Sequence, residues 1–190
     1  IAVSDGIYEF LTNKIYISTD KIMKLPNPID VKDIKEKSLK LLDITLPDKY
    51  ILFIGRLSYV KNLFLLLDAF ERGKLDDNYL VIVGDGEMKD ALIEKTKKMN
   101  KVDKIMFLGE IENPLPILKR SQLLVLPSFS EAYPTILLEA LCLYIPVLST
   151  PTKGAKEILN NMAGTYISND YYNIEEFAKL MENGVKEKLD

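Results

Sequence analysis

Hydrophobic residues along this 190-residue chain fall into two alternating patterns. Short continuous apolar runs occur at Tyr50–Ile54, Tyr79–Val83, Ile105–Leu108, Leu123–Leu126, Val147–Ser149 and Thr165–Ile167. Their length and composition predict strands covered on both faces, as in a parallel sheet. Between them lie stretches whose apolar residues recur every three or four positions. Asn62–Phe70 predicts a deeply packed helix, and Glu87 to about Met99 carries the stripe Met88, Leu92, Thr96 and Met99. Further helices are expected at Pro116–Arg120, Thr135–Leu143 and Ala155–Leu159. Asn173 with Glu176 three residues on resembles a capping box for a closing helix with stripe Ile174, Phe177, Met181 and Val185. Strand and helix alternate about six times with short connections, which predicts an α/β fold with a doubly wound parallel sheet.

The N-terminal part reads differently. Ile1–Ser4 predicts a strand end, Asp5 a cap for a short helix through Leu11, and Ile22–Leu25 a strand stopped by Pro26 and Pro28. Asp30 is the expected N-cap of a helix whose apolar face is Ile34, Ser38, Leu41 and Leu42.

The apolar pattern is densest from Ser121 to Thr152, where thirty-two residues carry only two charges, Glu131 and Glu139. An ionised carboxylate among Ile136, Leu137, Leu138, Leu141 and Leu143 loses hydration unless fixed groups replace the water, so each glutamate needs a reason. The local reading is a strand ended by Pro127, a polar loop Ser128–Tyr133, and a helix with Pro134 at its first position. Glu131 then lies in the loop and Glu139 one turn into the helix. Both can face the crevice at the carboxyl ends of the strands, where open α/β sheets bind ligands.

Composition narrows the functional classes. A net charge of −3 with mixed signs gives no basic face for nucleic acid. There is no histidine, which removes the commonest general base and metal ligand, and the single Cys142 cannot form an internal disulfide. No signal peptide is visible, and Glu139 and Pro146 interrupt the longest apolar stretch before it reaches membrane-spanning length. A cytoplasmic protein is the default, with peripheral contact at the inner face of a membrane left open.

Two motifs carry a resemblance. Glu131 and Glu139, separated by seven residues inside SEAYPTILLEAL, together with GRLSYVKN at Gly55–Asn62, resemble the signature of the retaining GT-B glycosyltransferases of family 4. The resemblance implies the C-terminal, Rossmann-like, donor-binding half of such an enzyme at residues 21–190. Residues 1–20 would be the end of a missing N-terminal acceptor domain, followed by the interdomain connection PNPID. It further implies a nucleoside diphosphate sugar as donor and a glycan or lipid-linked acceptor, as in polysaccharide biosynthesis. Arg56 and Lys61 would hold the diphosphate, Glu131 the donor sugar hydroxyls and Glu139 the ribose. Gly55, Ser130, Ala132, Tyr133 and Thr135 complete the implied binding set, and Glu131 is the carboxylate nearest to a catalytic role. With no histidine, one cysteine and no Asp-x-Asp pair, neither cofactor nor metal is expected, and the diphosphate charge falls to Arg56, Lys61 and helix-end amides.

The sequence departs from the family at Ala132, where a glycine usually stands, and at Leu143–Tyr144, which replace a common Cys-Gly pair. Gly154–Ile158 resembles a glycine turn near the donor and reads equally as an ordinary turn with Glu157 serving the helix start. Gly84-Asp85-Gly86 follows a strand but lacks the third glycine of a dinucleotide site, with Lys89 in its place, so a structural turn is expected. The alternatives are another GT-B enzyme, such as a nucleotide-sugar epimerase, and a non-catalytic α/β nucleotide-binding domain.

Overall fold

The computed structural model describes residues 1–160 and 162–187; residue 161 and the last three residues of the expected domain, 188–190, lie outside the description. Six strands form one parallel sheet: β1 (Tyr50–Ile54), β2 (Tyr79–Val83), β3 (Ile105–Gly109), β4 (Leu123–Leu126), β5 (Val147–Ser149) and β6 (Thr165–Ile167), in the order β3-β2-β1-β4-β5-β6. The continuous apolar runs have the cause inferred from them in the inner strands β1, β2, β4 and β5, whereas the edge strands β3 and β6 are part-buried throughout. Tyr50, Ile51, Leu52 and Phe53 are fully buried, and so are Leu80–Val83 and Leu123–Leu126 to within a few per cent. Strands covered on both faces have no solvent side to alternate toward.

Among the described residues there are eight α-helices: α1 (Asp5–Asn13), α2 (Val31–Ser38), α3 (Leu63–Arg72), α4 (Lys89–Thr96), α5 (Leu115–Arg120), α6 (Thr135–Cys142), α7 (Lys153–Leu159) and α8 (Ile174–Gly184). The two connections on the β3 side, α3 and α4, cover one face, where α8 returns to pack along α3; α2, α5, α6 and α7 pack on one another over the other face. Reversal of winding between β1 and β4 leaves a crevice at their carboxyl ends, because the chain departs from these neighbouring strands toward opposite faces.

Several local expectations are corrected. Ile1–Ser4 and Ile22–Leu25 are not strands: they meet in one parallel bridge, Ala2 to Lys24, with the Ala2 N–H donating to Met23 and the Leu25 N–H to Ala2. Two extended pieces with no third partner build no sheet. The cap of α1 is Ser4, whose Oγ accepts from the Ile7 N–H at 3.2 Å, and Asp5 is already helical. Helix α2 ends at Ser38, so Leu41 leaves the predicted apolar face and is fully exposed, while Ile34 and Ser38 are buried. Pro134 occupies the N-cap rather than the first helical position of α6. Asn173 caps α8 through the Glu176 N–H, but Glu176 turns its carboxylate to Asn169, so the reciprocal half of the box is absent. Asp30 does cap α2, accepting from the Asp33 N–H at 3.0 Å.

Candidate functional site

The site grows from the loops after β1 and β4. After β1 the backbone turns at Gly55, with φ 154°, and runs through Arg56 and Leu57 to a 3-10 turn at Tyr59–Lys61. This loop is zipped to the one after β2. Gly55 N–H donates to Val83, Leu57 N–H to Asp85, and Met88 N–H to Leu57. The glycines of the β2 loop exist for this contact: a Cβ on Gly84 would lie 2.0 Å from the Gly55 carbonyl oxygen, and one on Gly86 2.5 Å from that of Leu57. Gly84-Asp85-Gly86 is therefore the structural turn expected of it. Asn62 closes the β1 loop in the left-handed conformation, φ 49°, which its side chain tolerates better than most, and its Nδ2 donates to the Tyr171 carbonyl at 3.0 Å.

The β4 loop is held from three sides. Phe129 N–H donates to the Val60 carbonyl of the β1 loop at 2.8 Å. Thr150 Oγ1 donates to the carbonyl of Ser128, which is fully buried. From α7, Gly154 N–H donates to the Glu131 carbonyl at 3.2 Å, and a Cβ on Gly154 would stand 2.6 Å from the Ala132 oxygen. The glycine of GAKEI is therefore the seat on which the Glu131 loop rests. Glu157 serves neither this loop nor its own helix start; it accepts from the Asp5 N–H at 2.8 Å, joining α1 to α7. Ala132 keeps φ negative, since the non-glycine residues with positive φ among those described are Tyr16, Asn62 and Tyr144. The loop thus follows a path an alanine can take. Tyr144, in the place of the family's usual glycine, adopts φ 59° at the end of α6.

The first charged pair across the crevice is Lys61 and Glu131, Nζ to Oε1 2.6 Å, with side chains 23% and 11% exposed. The same Oε1 accepts from Ser128 Oγ at 2.6 Å. Low exposure on both sides makes this a largely desolvated, charge-assisted contact, in which loss of either partner would leave the other charge poorly solvated. Ser130, Glu131 and Ala132 line a cleft of about 340 Å³ that continues along Thr152 and Lys153 to Ser4 and Ile7 at the start of α1.

Arg56 is not beside Lys61. Its Nε and Nη2 both reach Glu87 Oε2 at 3.2 Å, at the β2–α4 junction, in a pair that is largely exposed. The Glu87 backbone N–H and the Arg56 guanidinium hold the Glu87 carboxyl below the usual carboxylate range. Gly55 and Arg56 line a second cleft of about 460 Å³ at the ends of β1, β2 and β3, with Gly84, Asp85 and Glu110. Glu139 lines neither cleft. It is half-buried on α6, where burial pushes its carboxyl above the usual range and the Lys37 ammonium of α2 draws it partly back. Tyr133 and Thr135 are part-buried between the loop and α6 and also line neither cleft.

The structure thus joins Lys61, Ser130, Glu131 and Ala132, sets Gly55 and Arg56 in a second cleft, and leaves Glu139 in a separate environment. Ser128 and Glu87 were not anticipated. Ser128 was accessible to reasoning, standing three residues before Glu131 in a turn; Glu87 carried no signal, because its partner lies thirty-one residues away. Among the described residues no three His, Cys, Asp or Glu side chains converge to hold a metal ion, and no helix is long and apolar enough to cross a membrane.

Comparison with known proteins agrees with this picture. The family model described as Glycosyl transferases group 1 matches residues 34–188. The chain is 36% identical over 159 residues, 83% of its length and 43% of the relative's, to the N-acetylgalactosamine-N,N'-diacetylbacillosaminyl-diphospho-undecaprenol 4-alpha-N-acetylgalactosaminyltransferase of Campylobacter jejuni. It is 30% identical over 168 residues, 80% of its length and 42% of the relative's, to the UDP-Gal:alpha-D-GlcNAc-diphosphoundecaprenol alpha-1,3-galactosyltransferase of Escherichia coli. A glycosyltransferase structure from Rickettsia africae superposes with a TM-score of 0.85 at 20% identity, covering 97% of this chain and 52% of that one, and shares its fold. The chain spans less than half the length of the two enzymes it is compared with in sequence.

Proposed function

The chain belongs to the group 1 glycosyl transferases, and from that premise we propose that residues 21–190 are the donor-binding half of a retaining GT-B enzyme of family 4. Residues 1–20 are then the end of an acceptor domain. The donor is a nucleoside diphosphate sugar. UDP is the first base to test, since the E. coli relative is named for UDP-Gal. The acceptor is a lipid-linked glycan, the class both named relatives act on, and the whole enzyme works at the inner face of a membrane.

The observation that carries this reading is the Lys61–Glu131 pair bridging the loops after β1 and β4, at the reversal point of the sheet. An ammonium has three donors, so Lys61 can keep Glu131 and still meet a phosphate oxygen. Glu131, held at one oxygen by Lys61 and Ser128, keeps acceptor capacity for a sugar hydroxyl. Departure of the diphosphate develops negative charge beside Lys61, where a fixed cation in a water-poor crevice stabilises it. The same groups serve in place of a metal in this proposal, and Glu131 orients the sugar rather than attacking it.

Calorimetric titration of the chain with UDP, GDP and ADP and their sugars, with and without excess EDTA, tests the reading. One base should bind in preference, and chelation should leave its affinity unchanged. Lys61→Ala should weaken it by about 1.5–3 kcal/mol, the range for a hydrogen bond to a charged group. Absence of binding by all three nucleotides would remove the donor from this half.

A further inference from the structure

The donor-binding reading assigns both Arg56 and Lys61 to the diphosphate, yet their side chains are engaged very differently. Lys61 is enclosed with Glu131, and that bond coexists with a ligand, as argued above. Arg56 is engaged by another carboxylate: two of its nitrogens sit 3.2 Å from a single oxygen of Glu87, at the β2–α4 junction. The arginine side chain is 74% exposed and free to swing, and the glutamate is 53% exposed. The backbone beneath them is fixed, because the β1 and β2 loops are hydrogen-bonded together at Leu57 and Asp85 and pressed flush at Gly84 and Gly86. Only the side chains can move. Glu87 takes the Nε and Nη2 side of the guanidinium, the edge that meets a carboxylate or a phosphate side-on, so an anion that needs that edge competes with Glu87 for it.

We propose that Glu87 is the resting counter-ion of Arg56, displaced when the diphosphate of the donor arrives, and that it thereby sets how tightly the site takes polyanionic ligands. The inference rests on the donor-binding reading above. An exposed pair is weak enough to open, and the barrier it adds is modest. It nonetheless lowers the affinity of every anion that recruits Arg56 by the same factor, and the weakest binders fall furthest below occupancy. Phosphate or sulfate alone gives up the Glu87 contact for little return, whereas a nucleoside diphosphate brings more charge and a second cation in Lys61. Glu87 would thus guard an open, solvent-facing cleft against the small anions of the cell.

The experiment is a double-mutant cycle in the whole 190-residue chain, with UDP as the probe and, where UDP is not the preferred base, GDP or ADP. Glu87→Gln should tighten nucleotide binding by about two- to fivefold, the span an exposed ion pair allows. Arg56→Ala should weaken binding, and adding Glu87→Gln to it should restore nothing, because the carboxylate then has no arginine to hold. Inorganic phosphate titrated alone should gain affinity for Glu87→Gln by a similar factor, since the cost removed is the same for both anions. A Glu87→Gln affinity equal to the parent's, with Arg56→Ala still damaging, would sink the proposal and leave the donor site standing. The same gain in both backgrounds would assign Glu87 a diffuse field and overturn the counter-ion role. An Arg56→Ala variant that binds as the parent does would remove Arg56 from the diphosphate and overturn the counter-ion role, while the Lys61–Glu131 donor site would still stand on its own titration. All the variants change exposed side chains, so folding does not confound the comparison.

Discussion

Glu131 and Glu139 are eight positions apart in sequence and sit in different physics. Glu131 has its charge met by Lys61 and Ser128. Glu139 is half-buried, and desolvation outweighs the help it has from Lys37, so its carboxyl titrates above the value of 4.5 expected in the unfolded chain. The sign follows from linkage: a group whose folded pKa is raised supports the fold fully below its unfolded pKa, and that support is lost as pH rises through the folded value. At neutral pH the ionised Glu139 is therefore a cost to the empty protein. Glu139→Gln should raise the free energy of unfolding at pH 7 by about 0.5–2 kcal/mol, the usual span for a single stabilising change, and the gain should shrink toward pH 4. It should also weaken nucleotide binding, if the ribose is what the carboxylate is kept for. Urea unfolding at two pH values with a titration alongside reads both, and a loss of stability at pH 7 would contradict the desolvation argument. Much of this was legible in the residues, since a charge among five leucines and isoleucines announces itself. The direction of Arg56 was not, because side-chain pairing across the sheet has no periodicity to follow.

At the scale of elements, the inner strands were readable because burial on both faces writes itself as unbroken Val, Leu and Ile. The failures came where the chain is short of partners: Ile1–Ser4 and Ile22–Leu25 look extended and apolar but have only each other. Helix ends were misjudged at α2 and α6, where capping residues moved the boundary by a turn or a single position. Least legible was the mutual fit of α7 and the β4 loop. Gly154 is helical and helix propensity favours alanine there by about 1 kcal/mol. Against that, a Cβ would come within 2.6–2.8 Å of the Glu131 and Ala132 backbone. Overpacking of that kind costs about 1–3 kcal/mol, so the steric term wins or the loop moves. Gly154→Ala should lower stability by about 1 kcal/mol and, by displacing Glu131, reduce the preference for a nucleotide sugar over the free nucleotide. Thermal unfolding with paired titrations tests this; a more stable variant with unchanged sugar preference would show that the loop does not rest on the helix.

For the molecule as a whole, alternation of strand and helix dictates a parallel sheet but not the order β3-β2-β1-β4-β5-β6, which decides where the crevice opens. Many orders satisfy the same alternation; this one brings the loops after β1 and β4 together and so makes Lys61 and Glu131 neighbours across seventy residues. The resulting clefts are open to solvent on the side away from the sheet, and the sequence relatives reported above are more than twice as long as the stretch they share with this chain. Transfer needs the acceptor hydroxyl placed against the anomeric carbon and water kept out, which a second domain closing over the donor would supply. The 190-residue chain should therefore bind donor yet release sugar to water only slowly, well below the roughly 1 per second at the lower end of typical enzyme turnover. Supplying the N-terminal half of a relative, fused ahead of residue 21, should restore transfer to a lipid-linked acceptor without tightening nucleotide binding more than the added contacts require. Radiolabelled donor, followed into free sugar and into lipid product, separates the two fates. Full-rate glycosylation of an acceptor by residues 1–190 alone would show that the donor half also carries the acceptor site.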